Sequence, residues 1–378
     1  MAIIPISNLP QSAALSGAEL FPIVQGGTTK YVEVSSFVGG VNNTASGNSS
    51  TIAGGQKNTA SGGNSVVAGG YCNTASGPWS FIGSGHYNRA SGYVATVGGG
   101  NGNTASSGCS VVAGGSQNTA SGYRSFIGGG SYNRASGYVA TVGGGNHNTA
   151  SGGNSVVAGG GAGYYGQNVA SGYYSGILGG RSNCASGNRS VVGGGSCNTA
   201  CGNVATVAGG SYNRASGYRS FIGGGYCNTA SGYCSTIAGG SYNTASGDKS
   251  FIGSGLSNTA SGYGSTVAGG YGNCATEYAS TVAGGSYNTA SGICSVVGGG
   301  RNNCASGNRS GILGGCNNAA SHNKSFIIGS DLASNAACTT FVNNLSAQGS
   351  LYAGNGFTGD IAGCTSITIT NGIITAAS

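Results

Sequence analysis

The chain has 378 residues, of which 81 are Gly, 13 are Cys and 5% are charged; 13 Lys and Arg against 6 Asp and Glu leave a net charge of +7. So much Gly without a three-residue period excludes collagen, a mean hydropathy of zero argues against simple disorder, and one Met with few Leu, Glu or Lys argues against helices. The basic residues stand singly, which speaks against a nucleic-acid surface, and no apolar run is long enough for a membrane-spanning helix, so no membrane insertion is expected.

The first predicted element lies in residues 1–42. LFPIVQ (20–25) and KYVEV (30–34) alternate around GGTT, which predicts a β-hairpin. The start, MAIIPISNLPQ, has no basic n-region and a short apolar run, so no signal peptide is expected and assembly in a cytoplasm fits.

From Asn43 the sequence repeats. Asn recurs at 43, 58, 73, 88, 103, 118, 133 and 148, and, after the insertion GAGYY at 161–165, from 168 to 318, always 15 residues apart, giving 19 repeats. A short fixed period is the signature of a solenoid. With the Asn as slot 0, slot 2 is Ala in all 19 repeats, slot 9 is Val or Ile in all 19, slot 7 is Ser in 16 and Ala in three, and slot 12 is Gly in 18, Ser330 being the exception. Slots 5, 6, 13 and 14 vary freely. Two constant segments between two variable ones predict a coil of two short strands and two turns, with a thin interior that admits only Ala or a β-branched side chain. Gly at slots 4, 11 and 12 is expected to supply the turn conformations. Stacked at the strand spacing of about 4.8 Å, 19 coils make a parallel β-roll roughly 90 Å long over residues 43–330.

Alternation in a strand turns slots 7 and 9 inward and slots 8 and 10 outward. SFIGGG (125–130), SGILGG (175–180) and SVVAGG (65–70) show the outward pair trading volume. Slot 8 is Phe at Phe81, Phe126, Phe221, Phe251 and Phe326, four of them followed by Gly at slot 10. It is Gly at 176 and 311, where slot 10 becomes Leu178 and Leu313. Compensating volumes are the mark of a close-packed surface. They predict that these seven residues, Phe81, Phe126, Leu178, Phe221, Phe251, Leu313 and Phe326, form an interface with further copies of the chain, most simply around a three-fold axis. The competing reading packs both slots inside a monomeric coil.

Residues 331–378 leave the repeat and read as a small β-rich cap, with SITITNGIITAAS forming a hairpin around Asn371-Gly372.

Chemistry is sparse. The acids are Glu19, Glu33, Asp248, Glu277, Asp331 and Asp360; Asp248 and Glu277 lie two coils apart, on the order of 10 Å, a distance that suits an inverting pair of glycosidase carboxylates. They read more simply as isolated turn residues. His86, His147 and His322 occupy slots 13, 14 and 4 and form no column, and no Cys pair has metal-ligand spacing. No cofactor, metal or catalytic residue is expected, and the thiols read as free. Tyr is the suggestive surface residue: Tyr164 and Tyr165 in the insertion, with Tyr173 and Tyr174, are candidate contacts to a sugar or protein surface, against a plainer reading in which Tyr forms ladders that cover the turns. Scattered Arg at slots 1 and 6 would give a trimer a charge of 3 × 7 = +21, favouring an anionic cell envelope.

NTASGGNSVVAGG (58–70) resembles the YadA-like head repeat of trimeric adhesins, and the resemblance extends over about residues 43–330. It implies a left-handed parallel β-roll working as a homotrimer, although that family commonly shows a period of 14. Residues 4–37 resemble the N-terminal module of phage tail-fibre and other virion proteins, and FVNNL with its Gly-rich turn resembles segments near phage fibre ends. Secreted adhesins would carry a signal peptide and a membrane barrel. The expectation is therefore a non-enzymatic structural fibre of a virus particle, attached to other virion proteins through residues 1–42 and meeting a host-surface glycan or protein. The alternatives are a bacterial adhesin or extracellular filament subunit, a polysaccharide-cleaving tailspike, and a monomeric ice- or surface-binding solenoid.

Overall fold

The computed structural model describes residues 20–25, 28–33, 37–38, 40–163 and 166–343. Strands Leu20–Gln25 and Thr28–Glu33 pair antiparallel with Gln25 opposite Thr28, the hairpin expected around Gly26 and Gly27. The hairpin expected at Asn371-Gly372 lies outside the described residues.

From Phe37 the chain winds into a parallel β-solenoid, all-β among the described residues. Each coil gives two two-residue strands, at slots 1–2 and 8–9; in one coil these are Thr119–Ala120 and Phe126–Ile127. Each strand pairs with the same slots of the neighbouring coils: Thr104, Thr119 and Arg134 align in one sheet, Val111, Phe126 and Thr141 in the other. A third column was not legible in the sequence. Single parallel bridges at slot 13, such as Ser116 with Ser131, give each coil three hydrogen-bonded sides.

Period-2 alternation puts Ala of slot 2 and Val or Ile of slot 9 inside, at 0–1% exposure from Ile52 to Ile327. Slot 7 joins them. Its Ser hydroxyl has no partner in ten coils, while in others it turns back to the slot 4 carbonyl, as Ser175 does to Gly172 at 2.7 Å. A Ser able to rotate onto a carbonyl three residues back, or to be replaced by Ala95, Ala140 or Ala205, is a space-filler.

The fourth interior column is the Asn of slot 0. Asn118 donates its backbone N–H to Oδ1 of Asn103 at 3.0 Å, and its own Oδ1 accepts the N–H of Asn133 at 2.9 Å. Its Nδ2 donates to the carbonyls of Gly114 at 3.0 Å and Gly130 at 2.8 Å. One side chain thus ties the third side of its coil to the first sheet and passes a hydrogen bond to the next rung, a fully satisfied buried polar ladder.

The three Gly slots have different causes. Gly130 at slot 12 has φ +81°, and a Cβ there would overlap the Gly145 carbonyl. Gly122 at slot 4 sits so close to the next coil that a Cβ would overlap the Gly137 carbonyl oxygen. Slot 11 has open space around it and accepts Ser84 and Ser254, so the expectation that it needs Gly for its turn does not hold. Left-handed backbone appears instead at the variable slots 6 and 14, held there by non-Gly residues such as Arg124 (φ +55°), Tyr132 (φ +56°) and even Val204 (φ +60°). A β-branched residue in that region costs about 1–2 kcal/mol, which the stacked hydrogen bonds of the coil overcome.

Ser330 breaks the slot 12 rule because its coil is one residue short. Asn318 Nδ2 reaches the Gly329 carbonyl at 2.7 Å, and the Leu332 N–H bonds Asn318 Oδ1 at 3.1 Å. Coil hydrogen bonding therefore runs past residue 330, with Phe326 N–H on the Thr339 carbonyl at 3.0 Å. In this last coil the Ser334 hydroxyl accepts the N–H groups of Ser321 and His322 at 2.9 and 3.1 Å, the bonds that the slot 2 carbonyl takes in the regular coils.

Candidate functional site: the outward faces of the shaft

Slots 8 and 10 face outward, as the alternation requires. Phe81, Phe126, Phe221, Phe251 and Phe326 are each 39–41% exposed, and Leu178 and Leu313 are 64% and 61% exposed, while the slot 9 residue between them is buried. The reading that packs both slots inside one coil does not hold. The seven side chains share one face of one sheet. Phe81, Phe126, Leu178 and Phe221 recur every third coil, about 14 Å apart at the strand spacing, and Phe251, Leu313 and Phe326 continue the row at less even intervals. Beside this face, Leu313 and Ile328 line a hollow of about 220 Å³ together with the turn residues Gly314, Gly315, Gly329 and Ser330.

Part of the volume exchange has a cause within the chain. Phe326 covers Gly311 of the preceding coil, where a Cβ would come within 2.6 Å of its ring. At slot 10 a Cβ on Gly128 would overlap the Gly143 carbonyl oxygen of the next coil and one on Gly83 the Gly98 carbonyl oxygen, while the Phe126 and Phe81 rings lie at ordinary contact distance. At Gly176, however, a Cβ would meet nothing within 4 Å. Its own chain thus leaves room for a Cβ at Gly176, unlike at Gly311.

The tyrosines line the two edges where the sheets turn. At slot 5 they stack in parallel: Tyr123 with Tyr138 at 5.8 Å, Tyr218 with Tyr233 at 5.3 Å, Tyr263 with Tyr278 at 5.5 Å. Arg124 and Arg219 lie over Tyr123 and Tyr218 at 5.2 and 5.0 Å. Much of the ring face there is already used between coils, which is the ladder reading. At slots 13 and 14 the tyrosine pairs meet edge-to-face, as in Tyr271 with Tyr287 at 4.8 Å, while Tyr132 stacks on His147 at 4.7 Å and 17°. Tyr173 and Tyr174 pack edge-to-face at 4.4 Å on the slot 5–6 edge, whereas the described residue Gly161 of the insertion lies on the slot 13 side of its coil. Tyr164 and Tyr165 lie outside the described residues. The hydrogen bond with Cys227, followed by that with Tyr242, pushes the pKa of the Tyr226 hydroxyl up to about 12. The hydrogen bond to Tyr71 raises Lys57 above its ordinary value.

The titratable groups are spread over different slots. Asp248 Oδ1 accepts the Tyr233 N–H at 2.9 Å, the same service Asn188 and Asn308 perform for Tyr173 and Ile293. That is a coil-to-coil clamp. Glu277 occupies the close-approach slot 4, where its own N–H turns to the Ser280 hydroxyl at 3.2 Å. His322 Nδ1 lies 3.0 Å from the Ser334 hydroxyl. Among the described residues no group of His, Cys, Asp or Glu could hold a metal ion, and the cysteines are free thiols. Cysteines of one column are at least two coils apart, on the order of 10 Å, too far to bridge.

Residues 50–62, STIAGGQKNTASG, match the family model of the ubiquitous surface protein adhesin repeat. That span is 13 of the 15 residues of one repeat, running from the slot 7 Ser through one corner to the slot 4 Gly. No curated protein matches the chain. The shaft is thus a β-solenoid whose repeat is similar to an adhesin repeat of the YadA and UspA type.

Proposed function

We propose that the chain is a non-enzymatic structural fibre, a homotrimer in which three copies bury their slot 8 and 10 stripes against one another and hold a shaft out toward a surface it adheres to. The observation that carries this is the pair Gly176 and Leu178, which trade volume where their own chain leaves open space. A row of exposed Phe and Leu along one sheet face, with a hollow beside it lined by Leu313 and Ile328 and large enough for a partner's side chain, supports it. The adhesin-type repeat supports the adhesive role. The likeness of residues 4–37 to virion modules favours a virus particle as the site, with those residues as the attachment to other virion proteins and a host-surface glycan or protein as the far partner. The second reading is a bacterial surface adhesin, and the repeat match at residues 50–62 favours it.

Light scattering on a size-exclusion column tests the assembly. The expected mass is three times 36.2 kDa, falling to one chain when Phe126 and Phe221 are both changed to Ser. A wild-type mass of 36.2 kDa refutes the trimer. Antibody labelling of intact virus particles and of bacterial cells separates the two locations.

A further inference from the structure

A cleft lies beside the insertion in the repeat. Residues 161–165 interrupt slot 13 of the coil that begins at Asn148. Gly161 keeps the donor half of that slot, giving its N–H to the Gly180 carbonyl at 2.8 Å, and Gly166 keeps the acceptor half, taking the Ser182 N–H at 3.0 Å. Both sheets hold register across the insertion, Thr149 with Val169 and Val156 with Gly176, while the slot 13 bridges lapse between Asn146 and Arg181. The fold accommodates the insertion without needing it.

Beside it lies a cleft of about 270 Å³ lined by Ala162, Gly166, Arg181, Ser196, Cys197 and Tyr212 among others. Arg181 Nε donates to Ser196 Oγ at 3.2 Å, which anchors the guanidinium there. None of the described residues that line the cleft is acidic. Tyr212 stands at its other side, and from it a row continues coil by coil: Tyr212 to Tyr226 at 5.7 Å and 72°, Tyr226 to Tyr242 at 5.4 Å and 76°. These edge-to-face contacts cover less ring face than the parallel stacks of slot 5, and Tyr212 and Tyr242 stay 56% and 53% exposed. Arg181, Cys197 and Tyr212 line the cleft together, and the Tyr212 hydroxyl is held above its ordinary pKa chiefly by its hydrogen bond with the Cys197 thiol, with Arg181 acting in the opposite direction.

We propose that this cleft and the tyrosine row beside it bind a carboxylate-bearing saccharide chain. Arg181 takes the carboxylate, since a planar guanidinium matches its two oxygens. Ser196 offers a hydroxyl to the sugar, and Tyr212, Tyr226 and Tyr242 provide apolar ring surface along about 10 Å of the shaft, the rise of two coil steps. The cleft volume suits one sugar ring and is small for a drug-sized ligand. The proposal rests on the adhesive-fibre reading and names a site and ligand class for it.

Calorimetric titration of the full chain with tetragalacturonate, its methyl ester and an α2,8-linked sialic acid tetramer tests this, with the solution mass measured on the same samples. Binding of at least one acid is expected, with at least a tenfold loss on esterification of the galacturonate if that is the acid bound. A similar loss is expected in Arg181→Gln and in Tyr212→Ala. Deleting residues 161–165 restores the 15-residue period and should abolish binding while leaving the circular dichroism and mass unchanged. Binding of neither acid, or a deletion variant that binds like the wild type, overturns the proposal. A trimer that binds neither acid removes the cleft reading alone; a monomer removes the fibre reading, whatever it binds.

Discussion

Removing one rung of the buried asparagine column measures what holds a coil closed. In Asn118→Ala the Asn133 N–H loses the oxygen that accepts it, in a residue 1% exposed, and the Gly114 and Gly130 carbonyls lose the Nδ2 donor. Gly130 keeps its bond from the Ser116 N–H at 2.9 Å, and the half-buried Gly114 can turn to water. An orphaned buried N–H costs about 1–3 kcal/mol and each further lost bond about 1 kcal/mol, so the sum is about 3–5 kcal/mol. Thr119→Ala, one residue on and outward-facing, should cost under about 1 kcal/mol. Urea denaturation gives the comparison. Hydrogen exchange should place the loosening in the coils on either side of residue 118, since a solenoid couples only neighbours. If Asn118→Ala and Thr119→Ala unfold at the same urea concentration, the ladder does not stabilise the coil and the reasoning fails.

Other consequences follow from the backbone and the tyrosine edges. Val204→Asn should raise stability by about 1 kcal/mol, because Asn tolerates φ +60° and the Val side chain is exposed; a lower thermal midpoint would count against the assigned strain. Gly130→Ala should cost about 3 kcal/mol or more, since both the positive φ and the Gly145 carbonyl oppose a Cβ, and an unchanged midpoint would contradict the coil spacing. Tyr226 should ionise near pH 12 in a spectrophotometric titration. Because its folded value lies above the ordinary 10, whatever it contributes to stability is fully present below pH 10 and lost between pH 10 and about 12. Tyr226→Phe should remove that last step and no earlier one.

The repeat made the two sheets legible: Ala at slot 2 and Val or Ile at slot 9 are fixed by volume, and a period of 15 sets the register. The outward turn of slots 8 and 10 followed from alternation alone. The Asn column is as constant as the slot 2 Ala, 19 of 19, yet its ladder is not legible, because its bonds run to carbonyls 12 residues ahead that no local pattern exposes. The slot 13 bridges were hidden by the same corner's variety. Free variation at slots 6 and 14 concealed a backbone requirement, since residues as different as Arg124 and Val204 accept the left-handed region when the stack imposes it. The cleft at Arg181 could be suspected only from the insertion; it takes folding to bring Ala162, Ser196 and Tyr212 together.

The coil separates its demands by side. Interior slots 0, 2, 7 and 9 are satisfied by small or β-branched residues and one amide, and they close on themselves within the chain. The edges are free because the main chain there is hydrogen-bonded coil to coil whatever side chain it carries, as the N–H of Tyr132 to Ser116 and of Arg124 to Gly108 illustrate. Ligand-binding chemistry can therefore be changed at slots 5, 6, 13 and 14, or inserted outright at 161–165, without altering the sheet that bears Phe126 and Leu178. The prediction is that variants of the two surfaces are independent: Phe126 with Phe221 to Ser should change mass and leave the affinity of each cleft for a single acidic oligosaccharide within about twofold, and Arg181→Gln should do the reverse. Loss of saccharide affinity on dissociation would mean that a neighbouring copy completes the cleft, and the separation of sides argued from a single coil would be wrong.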